Sequence, residues 1–389
     1  MTNSSEKPKL SIVIPTYNRA DLIGETLRSV QDQDFTNFEV IIVDDGSTDG
    51  TKTVCEKFVS KDPRISYLAG DTKNRGPGYC RNKAVQVAQG EFLIFLDSDD
   101  LFLPGALANR VNAIESNDEL DFVVFLGEFF EVHLGDVCTL WNIPTDVDPL
   151  LRFLGEDVPW STIGPIWRSA SFDLTGGWDD AIVMGDDQDL HTRALLLGMR
   201  YEFKDTIDYA IRRAAGGKSQ LGQQFSTKAG MLSQVKRVQK LCEEGINLDG
   251  AMLARAQMRM AGSLLFRCYQ LLEYHDDKPT SLKVWRIARD HRLVDASTYM
   301  FGCLWIKKYK SFLGDIAAYM INHLEPEDFL LINRALIGET PSSCLEENPY
   351  DGRFHKQRSF VRSPAVNQGV LPYILGKLRS KITTSLFIR

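Results

Sequence analysis

The 389-residue sequence lacks several features that are typical of membrane proteins, of secreted proteins or of proteins stabilised by a structural metal ion. No uncharged apolar run is long enough to cross a bilayer, so no transmembrane helix is expected. The polar N-terminus, residues 1–9, has no apolar segment of the kind that signal peptides carry. The seven cysteines contain no Cys-x-x-Cys pair, which argues against a structural zinc site or a disulfide framework and is typical of a reducing compartment. These absences predict a cytoplasmic protein.

An excess of positive charge is also missing. The net charge is −7, so nucleic acid is not expected as a partner. The composition is otherwise that of an ordinary globular protein, and the length suggests one large domain with an extension.

Apolar runs and helical patterns alternate through the first hundred residues. Strands are predicted at Leu10–Pro15, Phe38–Val43, Ile65–Leu68 and Glu91–Leu96, and an amphipathic or turn-bounded segment separates each from the next. Such a β-α-β succession predicts an α/β fold with a mostly parallel central sheet and helices on both faces.

The central strand ends in an unusual acidic cluster, Asp97-Ser98-Asp99-Asp100. Adjacent carboxylates repel one another unless a cation compensates them, and ligands of α/β sheets lie at the carboxyl ends of the strands. An Asp-x-Asp at this place could hold a divalent metal and, through it, a diphosphate. The alternative is a helix N-terminus, which Asp and Ser also favour. Tyr17 and Asp45 follow the first two strands and are expected at the same edge.

Further along the chain, Glu128–Pro149 hints at hairpin strands, and Val158–Trp178 has the composition of a loop shaped around a ligand. Asp186 and Asp187 then open an amphipathic helix that Gly198 ends. On this helix Asp189 and His191 are expected to face solvent or to support the site.

Helical periodicity dominates the remainder, at 251–274, 282–293 and 298–324. We therefore divide the chain into an α/β domain (1–220), a helical extension (221–345) and a tail (346–389). From Arg353 onward the tail has no Asp or Glu but many Lys and Arg, mixed with apolar residues. This pattern predicts contact with an anionic membrane surface, and the alternative is a solvated tail packed on its own domain.

Five motifs occur in order: Ile14-Pro15-Thr16-Tyr17-Asn18-Arg19, Val43-Asp44-Asp45-Gly46-Ser47, Gly76-Pro77-Gly78 with Arg81-Asn82, Leu96-Asp97-Ser98-Asp99-Asp100 and Gly185-Asp186-Asp187. Together, over about residues 8–220, they resemble the family 2 glycosyltransferases of the GT-A fold. The resemblance implies a GT-A domain followed by a mainly helical extension, and an inverting transferase that uses a nucleotide-diphosphate sugar with Mg²⁺ or Mn²⁺.

The resemblance also implies roles for individual residues. Asp187 would be the catalytic base with Asp186 beside it, and Asp99 the metal ligand. Tyr17 would stack on the nucleobase, Asp45 would accept a hydrogen bond from it and thereby favour uracil, and Arg81 would neutralise the diphosphate. The remaining predicted donor residues are Pro15, Arg19, Gly76, Asp97, Ser98, Arg212 and Arg213. Apart from the resemblance, Trp160, Gly177 and Trp178 are candidate acceptor residues, and core packing is the alternative for the tryptophans.

One departure from the family pattern is Ile211-Arg212-Arg213-Ala214, where many relatives carry a histidine after two arginines. The absence of this histidine removes one protein ligand of the metal. Arg212 or Arg213 could compensate for that loss by binding phosphate.

The leading hypothesis is a transferase acting on a saccharide or lipid-linked acceptor in bacterial surface polysaccharide or glycolipid synthesis, at the inner face of the membrane. The alternatives are a catalytically inactive GT-A scaffold that binds a partner, and a sugar nucleotidyltransferase. A nicotinamide-dependent oxidoreductase is excluded because no Gly-x-Gly-x-x-Gly follows the first strand. A homo-oligomer remains open.

Overall fold

The protein is represented by a computed structural model that describes residues 7–70, 75–137, 139–141, 144–213 and 227–309, and the backbone of 344–347 and 355–358. The strands are β1 Leu10–Thr16, β2 Phe38–Asp44, β3 Ile65–Ala69, β4 Phe92–Phe95, β5 Leu101–Phe102, β6 Phe122–Phe130, β7 Thr139–Leu140, β8 Pro165–Arg168, β9 Tyr201–Arg212, β10 Cys344–Glu347 and β11 His355–Arg358. The helices are α1 Ile23–Gln31, α2 Thr51–Val59, α3 Pro77–Val85, α4 Ala106–Glu115, α5 Pro149–Leu154, α6 Ser169–Leu174, α7 Asp186–Leu196, α8 Lys228–Glu244, α9 Gly250–His275, α10 Lys278–Asp290 and α11 Ala296–Lys307.

The sheet begins as predicted and becomes mixed beyond its centre. β3, β2, β1 and β4 are parallel neighbours in that order, and β8 then pairs antiparallel with β4 and with β6. β9 runs parallel to β6, so its end reaches the same edge as the ends of the first strands. The α/β class is confirmed, and the antiparallel β8 is a feature that the strand pattern did not indicate.

Alternate side chains of the strands enter two separate cores, which explains why helices cover both faces. Ile12 and Ile14 pack with α1, α2 and α4, whereas Val13 packs with α3, α6 and α7 on the opposite face. Because β1 and β4 are buried on both sides, their sequences are continuous apolar runs rather than alternating ones.

The helical extension has its own core, but α5 of the α/β part shares it. Leu150, Leu151 and Leu154 pack with Met231, Val235 and the apolar faces of α9 to α11. The predicted helices at 251–274 and 282–293 correspond to α9 and α10, and the third is described as far as Lys307.

The predicted boundary near residue 220 falls in 214–226, and most of the predicted membrane-binding tail lies outside the described residues. Near the start of that tail, β11 pairs with β7 at the sheet edge. Among the described residues, no helix combines the length and apolarity needed to cross a membrane.

Candidate functional site

The predicted donor end of the site lies where β1 and β2 stop. Asp45 accepts hydrogen bonds from the backbone N–H groups of Arg75 (2.9 Å) and Gly76 (2.7 Å), which tie it to the start of α3. Burial raises the pKa of Asp45, and these two hydrogen bonds oppose that rise. Gly76 has a φ of +94°, a conformation that favours glycine at this turn. Tyr17 is 36% exposed at the same edge, as stacking on a nucleobase would require.

Arg81 joins the acidic cluster of the central strand to the acids of α7. Its guanidinium donates to Asp97 Oδ1 (2.6 Å) and to Asp186 Oδ2 (2.8 Å), and it lies 4.3 Å from the centre of the Trp178 ring. Arg81 is 3% exposed, so the guanidinium group is shielded from solvent in both ion pairs. The side chain predicted to bind diphosphate is therefore already held between two carboxylates.

Asp99 and Asp100 differ in their surroundings although they are adjacent. The side chain of Asp99 is 26% exposed and lies 3.5 Å from the guanidinium of Arg19, and burial raises its pKa against the effect of that charge. Asp100 is 5% exposed and accepts a hydrogen bond from the backbone N–H of Arg212 at 3.0 Å. Burial and the neighbouring carboxylates hold the pKa of Asp100 well above its ordinary value. Asp99 is thus the accessible carboxylate, and Asp100 fastens the end of β9.

The two predicted arginines at the end of β9 contact other groups of the protein in this structure. Arg212 donates to the carbonyl of Asp99 (3.1 Å), pairs with Glu25 and lies over the ring of Phe130. Arg213 lies 4.0 Å from the centre of the Phe129 ring. Their predicted role as donor ligands remains a prediction.

Asp187 lies at the first turn of α7, after Gly185, whose φ is +77°. Burial and the charge of the adjacent Asp186 raise the pKa of Asp187 to about 7. Burial also raises the pKa of Asp186, and the charge of Arg81 opposes that rise. The pair therefore has the property that a general base near neutral pH requires.

A cavity of 190 Å³ lies between the acidic cluster of the central strand and the start of α7. Its lining includes Arg81, Asp97 and Asp100 on the strand side and Asp186 and Asp187 on the helix side. The remaining wall includes Pro77, Gly185 and Ile211, which belong to stretches quoted in the sequence analysis. It also includes residues that the sequence did not single out: Trp141, Ser161, Thr162, Ile163, Val183 and Met184. Ser161, Thr162 and Ile163 fall in the segment whose composition suggested a ligand loop, but no spacing distinguished them.

The predicted acceptor tryptophans are core residues in this structure. Trp160 is 1% exposed and packs against Phe122, Phe153 and Tyr201, and Trp178 is 3% exposed between Phe95 and Arg81. Neither indole offers an open face, so their expected stacking on an acceptor sugar does not agree with their placement. Gly177 lies against Asn82, where a Cβ would come within 2.8 Å of the amide oxygen. Pro15 and Ser98 are buried parts of the framework.

Asp189 and His191 do not face solvent, because α7 is covered on both sides. Both are 0% exposed, and Asp189 pairs with Arg193 at 2.7 Å. Burial lowers the pKa of His191 to about 3, so the imidazole is neutral near neutral pH. The alternative expectation, that these residues support the site, agrees with their positions.

Comparison with known sequences finds similarity in the first part of the chain. Residues 11–145 match the family model described as glycosyl transferase family 2. In this part the chain resembles the family 2 glycosyltransferases. It is 43% identical over 101 residues to GalNAc(5)-diNAcBac-PP-undecaprenol beta-1,3-glucosyltransferase of Campylobacter jejuni, covering 26% of this chain and 33% of that protein. Over 95 residues it is 47% identical to poly(ribitol-phosphate) beta-N-acetylglucosaminyltransferase TarS of Staphylococcus aureus, covering 24% and 16% of the two chains.

The structural similarity covers more of the chain than the sequence matches do. The crystal structure of S. aureus TarS 1–349 in complex with UDP-GlcNAc has a TM-score of 0.58 and 19% sequence identity, and the match covers 88% of this chain and 95% of that one. This similarity supports the GT-A fold and a helical region after it. The matched sequence spans a third or less of the two relatives named above.

Proposed function

We propose that the protein is an inverting glycosyltransferase that moves a sugar from a UDP-sugar to an acceptor hydroxyl, with Asp187 as general base. The observation that supports the proposal is the cavity lined by Arg81 and Asp97 on one side and by Asp187, whose pKa is raised to about 7, on the other. The enzyme class agrees with the family, and a UDP-sugar agrees with the UDP-GlcNAc complex of TarS.

In the proposed reaction, Asp187 accepts the proton of the acceptor hydroxyl as its oxygen bonds to the anomeric carbon. The bond from that carbon to the diphosphate oxygen breaks on the opposite face, which inverts the configuration. Tyr17 and Asp45 orient the nucleotide at the other end. Arg81 keeps Asp97 and Asp186 in place.

The residues present fit a divalent cation held at Asp99. Four carboxylates and one guanidinium group line the cavity, and Asp99, adjacent to Asp100 in the chain, is a partly exposed carboxylate whose pKa is raised by burial. Among the described side chains no group of three His, Cys, Asp or Glu is arranged as a metal site. A metal would therefore take most of its ligands from phosphate oxygens and water, as Mg²⁺ commonly does. Bound there, it would stabilise the negative charge of the departing diphosphate.

The acceptor is proposed from the relatives alone. The names of the Campylobacter protein and of TarS indicate a lipid-linked saccharide and a poly(ribitol-phosphate) as acceptors of those enzymes. We infer that this chain acts in bacterial surface polysaccharide or glycolipid synthesis, at the inner membrane surface, which the basic tail would contact.

The test is a screen of UDP-, GDP- and TDP-sugars for binding and slow donor hydrolysis, with Mn²⁺ and with EDTA, in the wild type and in Asp99→Ala. We expect one UDP-sugar to bind and turn over with Mn²⁺, and both EDTA and Asp99→Ala to weaken its binding. Asp118→Ala is the matched control, because Asp118 is an exposed carboxylate whose side chain pairs with Arg168 away from the cavity. Failure of every donor to bind, with and without metal, would favour the inactive scaffold.

A further inference from the structure

The loop that leads into the proposed base is held by a helix outside the α/β part. Ser233 of α8 accepts hydrogen bonds from the backbone N–H groups of Val183 and Met184, both at 3.1 Å. Its hydroxyl in turn lies 3.4 Å from the carbonyl of Met184. One side chain thus satisfies two successive N–H groups of an irregular segment, four and three residues before Asp187.

The residue after Ser233 packs against the turn itself. Gln234 is 1% exposed, and a Cβ at Gly185 would come within 2.5 Å of its amide oxygen. Gly185 is the residue from which α7 begins, so the contact fixes the point at which Asp186 and Asp187 leave the loop.

The beginning of the same loop is fixed by α8 as well. Lys240 lies two turns beyond Ser233 on the helix, and its ammonium group is 2.6 Å from Asp179 Oδ2. The loop from Asp179 to Gly185 is therefore attached to one helix at both of its ends.

α8 is in turn anchored to the α/β part by a buried charge. Arg237 is 0% exposed and donates to Glu156 Oε1 at 2.5 Å, and Ser263 and Arg267 of α9 also bond to Glu156. Burial opposes ionisation of Glu156, yet the charges of Arg267 and Arg237 keep its pKa below the ordinary value. An ionised Glu156 at neutral pH joins α8 and α9 to the segment that follows α5.

We propose that Ser233 is a positioning residue for the general base, so that the helical extension completes the active site rather than merely following it. This inference rests on the proposed function of Asp187. A displacement of about 1 Å at a reacting group can cost roughly 10²-fold in rate, so fixing the loop has a direct catalytic consequence.

The test compares Ser233→Ala with Ser233→Thr, using UDP-GlcNAc or whichever donor the screen selects. We expect Ser233→Ala to lower kcat about tenfold or more while leaving the KM for the donor unchanged, because Tyr17 and Asp45 lie at the other end of the site. Ser233→Thr keeps the hydroxyl and should restore most of the loss. Ser116→Ala is the matched control, because its hydroxyl bonds to the carbonyl of Ala113 at the exposed end of α4.

A second readout does not depend on activity. Hydrogen exchange at the amides of Val183 and Met184 should be faster in Ser233→Ala than in the wild type and slow again in Ser233→Thr, at similar Tm. Wild-type kcat with unchanged protection in Ser233→Ala would overturn the inference, as would a loss of kcat that Thr does not restore. If the wild type transfers no sugar, the proposed function of Asp187 fails, and the exchange measurement still decides whether Ser233 holds the loop.

Discussion

The two ends of the candidate site are built in different ways. At the donor end, Asp45 is held by backbone groups of Arg75 and Gly76, and Asp44 is held by the N–H of Ser47 and the hydroxyl of Tyr67. At the base end, Asp186 and Asp187 depend on Arg81, about a hundred residues before them, and on Ser233 and Gln234, about fifty residues after them.

This difference separates what a short motif can specify from what it cannot. Consecutive β-α units assemble the donor end, so its residues occur in compact motifs with turn residues between them. The base end is assembled by long-range contacts, and its chemistry arises from burial. The same two-residue acidic motif on an open surface would have ordinary pKa values.

The largest expected effect comes from removing the residue that joins the two ends. Arg81→Leu would leave the buried carboxylate of Asp186 and the partly exposed one of Asp97 without their cation. We expect a loss of about 3 kcal/mol in the free energy of unfolding, the lower end of the range for breaking a buried pair, because Asp97 is partly solvated. Urea denaturation measures it.

Arg200→Leu provides the control, because Arg200 pairs with Glu119 at the surface, where both side chains are mostly exposed. Such pairs contribute about 0–1 kcal/mol, so its stability should stay close to that of the wild type. Equal losses in the two variants would mean that Arg81 does not join the two ends as described.

A smaller effect is expected at the turn before the base. Gly185→Ala introduces a side chain at a φ of +77° and brings its Cβ to 2.5 Å from Gln234. Gly176→Ala also introduces a side chain at a positive φ, +76°, but no atom of the described residues lies within 4 Å of its Cβ. We expect each to lose about 1–2 kcal/mol from the strained backbone, and Gly185→Ala to lose more because of the additional contact. Thermal unfolding compares them, and an equal loss would contradict the contact with Gln234.

Much of the fold was predictable because its signals are local. Apolar runs with turn residues at their ends predicted the first four strands. The apolar run Phe122–Phe125 indicates only a short strand, whereas β6 continues to Phe130 through Gly127, over which the ring of Tyr209 packs closely. The glycine that weakens the sequence signal is thus required by a contact with a residue eighty positions later.

The site was predictable in its charged residues and less so in its walls. Asp187 and Arg81 stand in recognisable motifs, but the burial of Trp160 and His191 depends on how α7 packs against β8 and α5. The helix α8 could have been predicted from the sequence, since its apolar residues follow helical spacing: Met231, Val235, Val238 and Leu241. That its polar residues hold the base loop is a tertiary fact that spacing does not reveal.

The most direct test of the account is the pH dependence of turnover, measured with saturating donor in the wild type and in Asp187→Asn. The proposed base must be deprotonated to accept a proton, and burial and Asp186 raise the pKa of Asp187 to about 7. Wild-type kcat should therefore rise with pH and be half-maximal near that value, the titration belonging to the Asp186–Asp187 pair. Asp187→Asn should lose about 10²–10⁴-fold in kcat and retain donor binding.

Stability gives the same measurement a second readout. The folded-state pKa of Asp187 lies above its ordinary value of 3.8. Between this pH and a pH of about 7, Asp187 is therefore protonated in the native protein but ionised in the unfolded chain. Wild-type stability should thus fall relative to that of Asp187→Asn as the pH rises through this window. Turnover that is independent of pH, or that survives in Asp187→Asn, would contradict a general base with a raised pKa at this position.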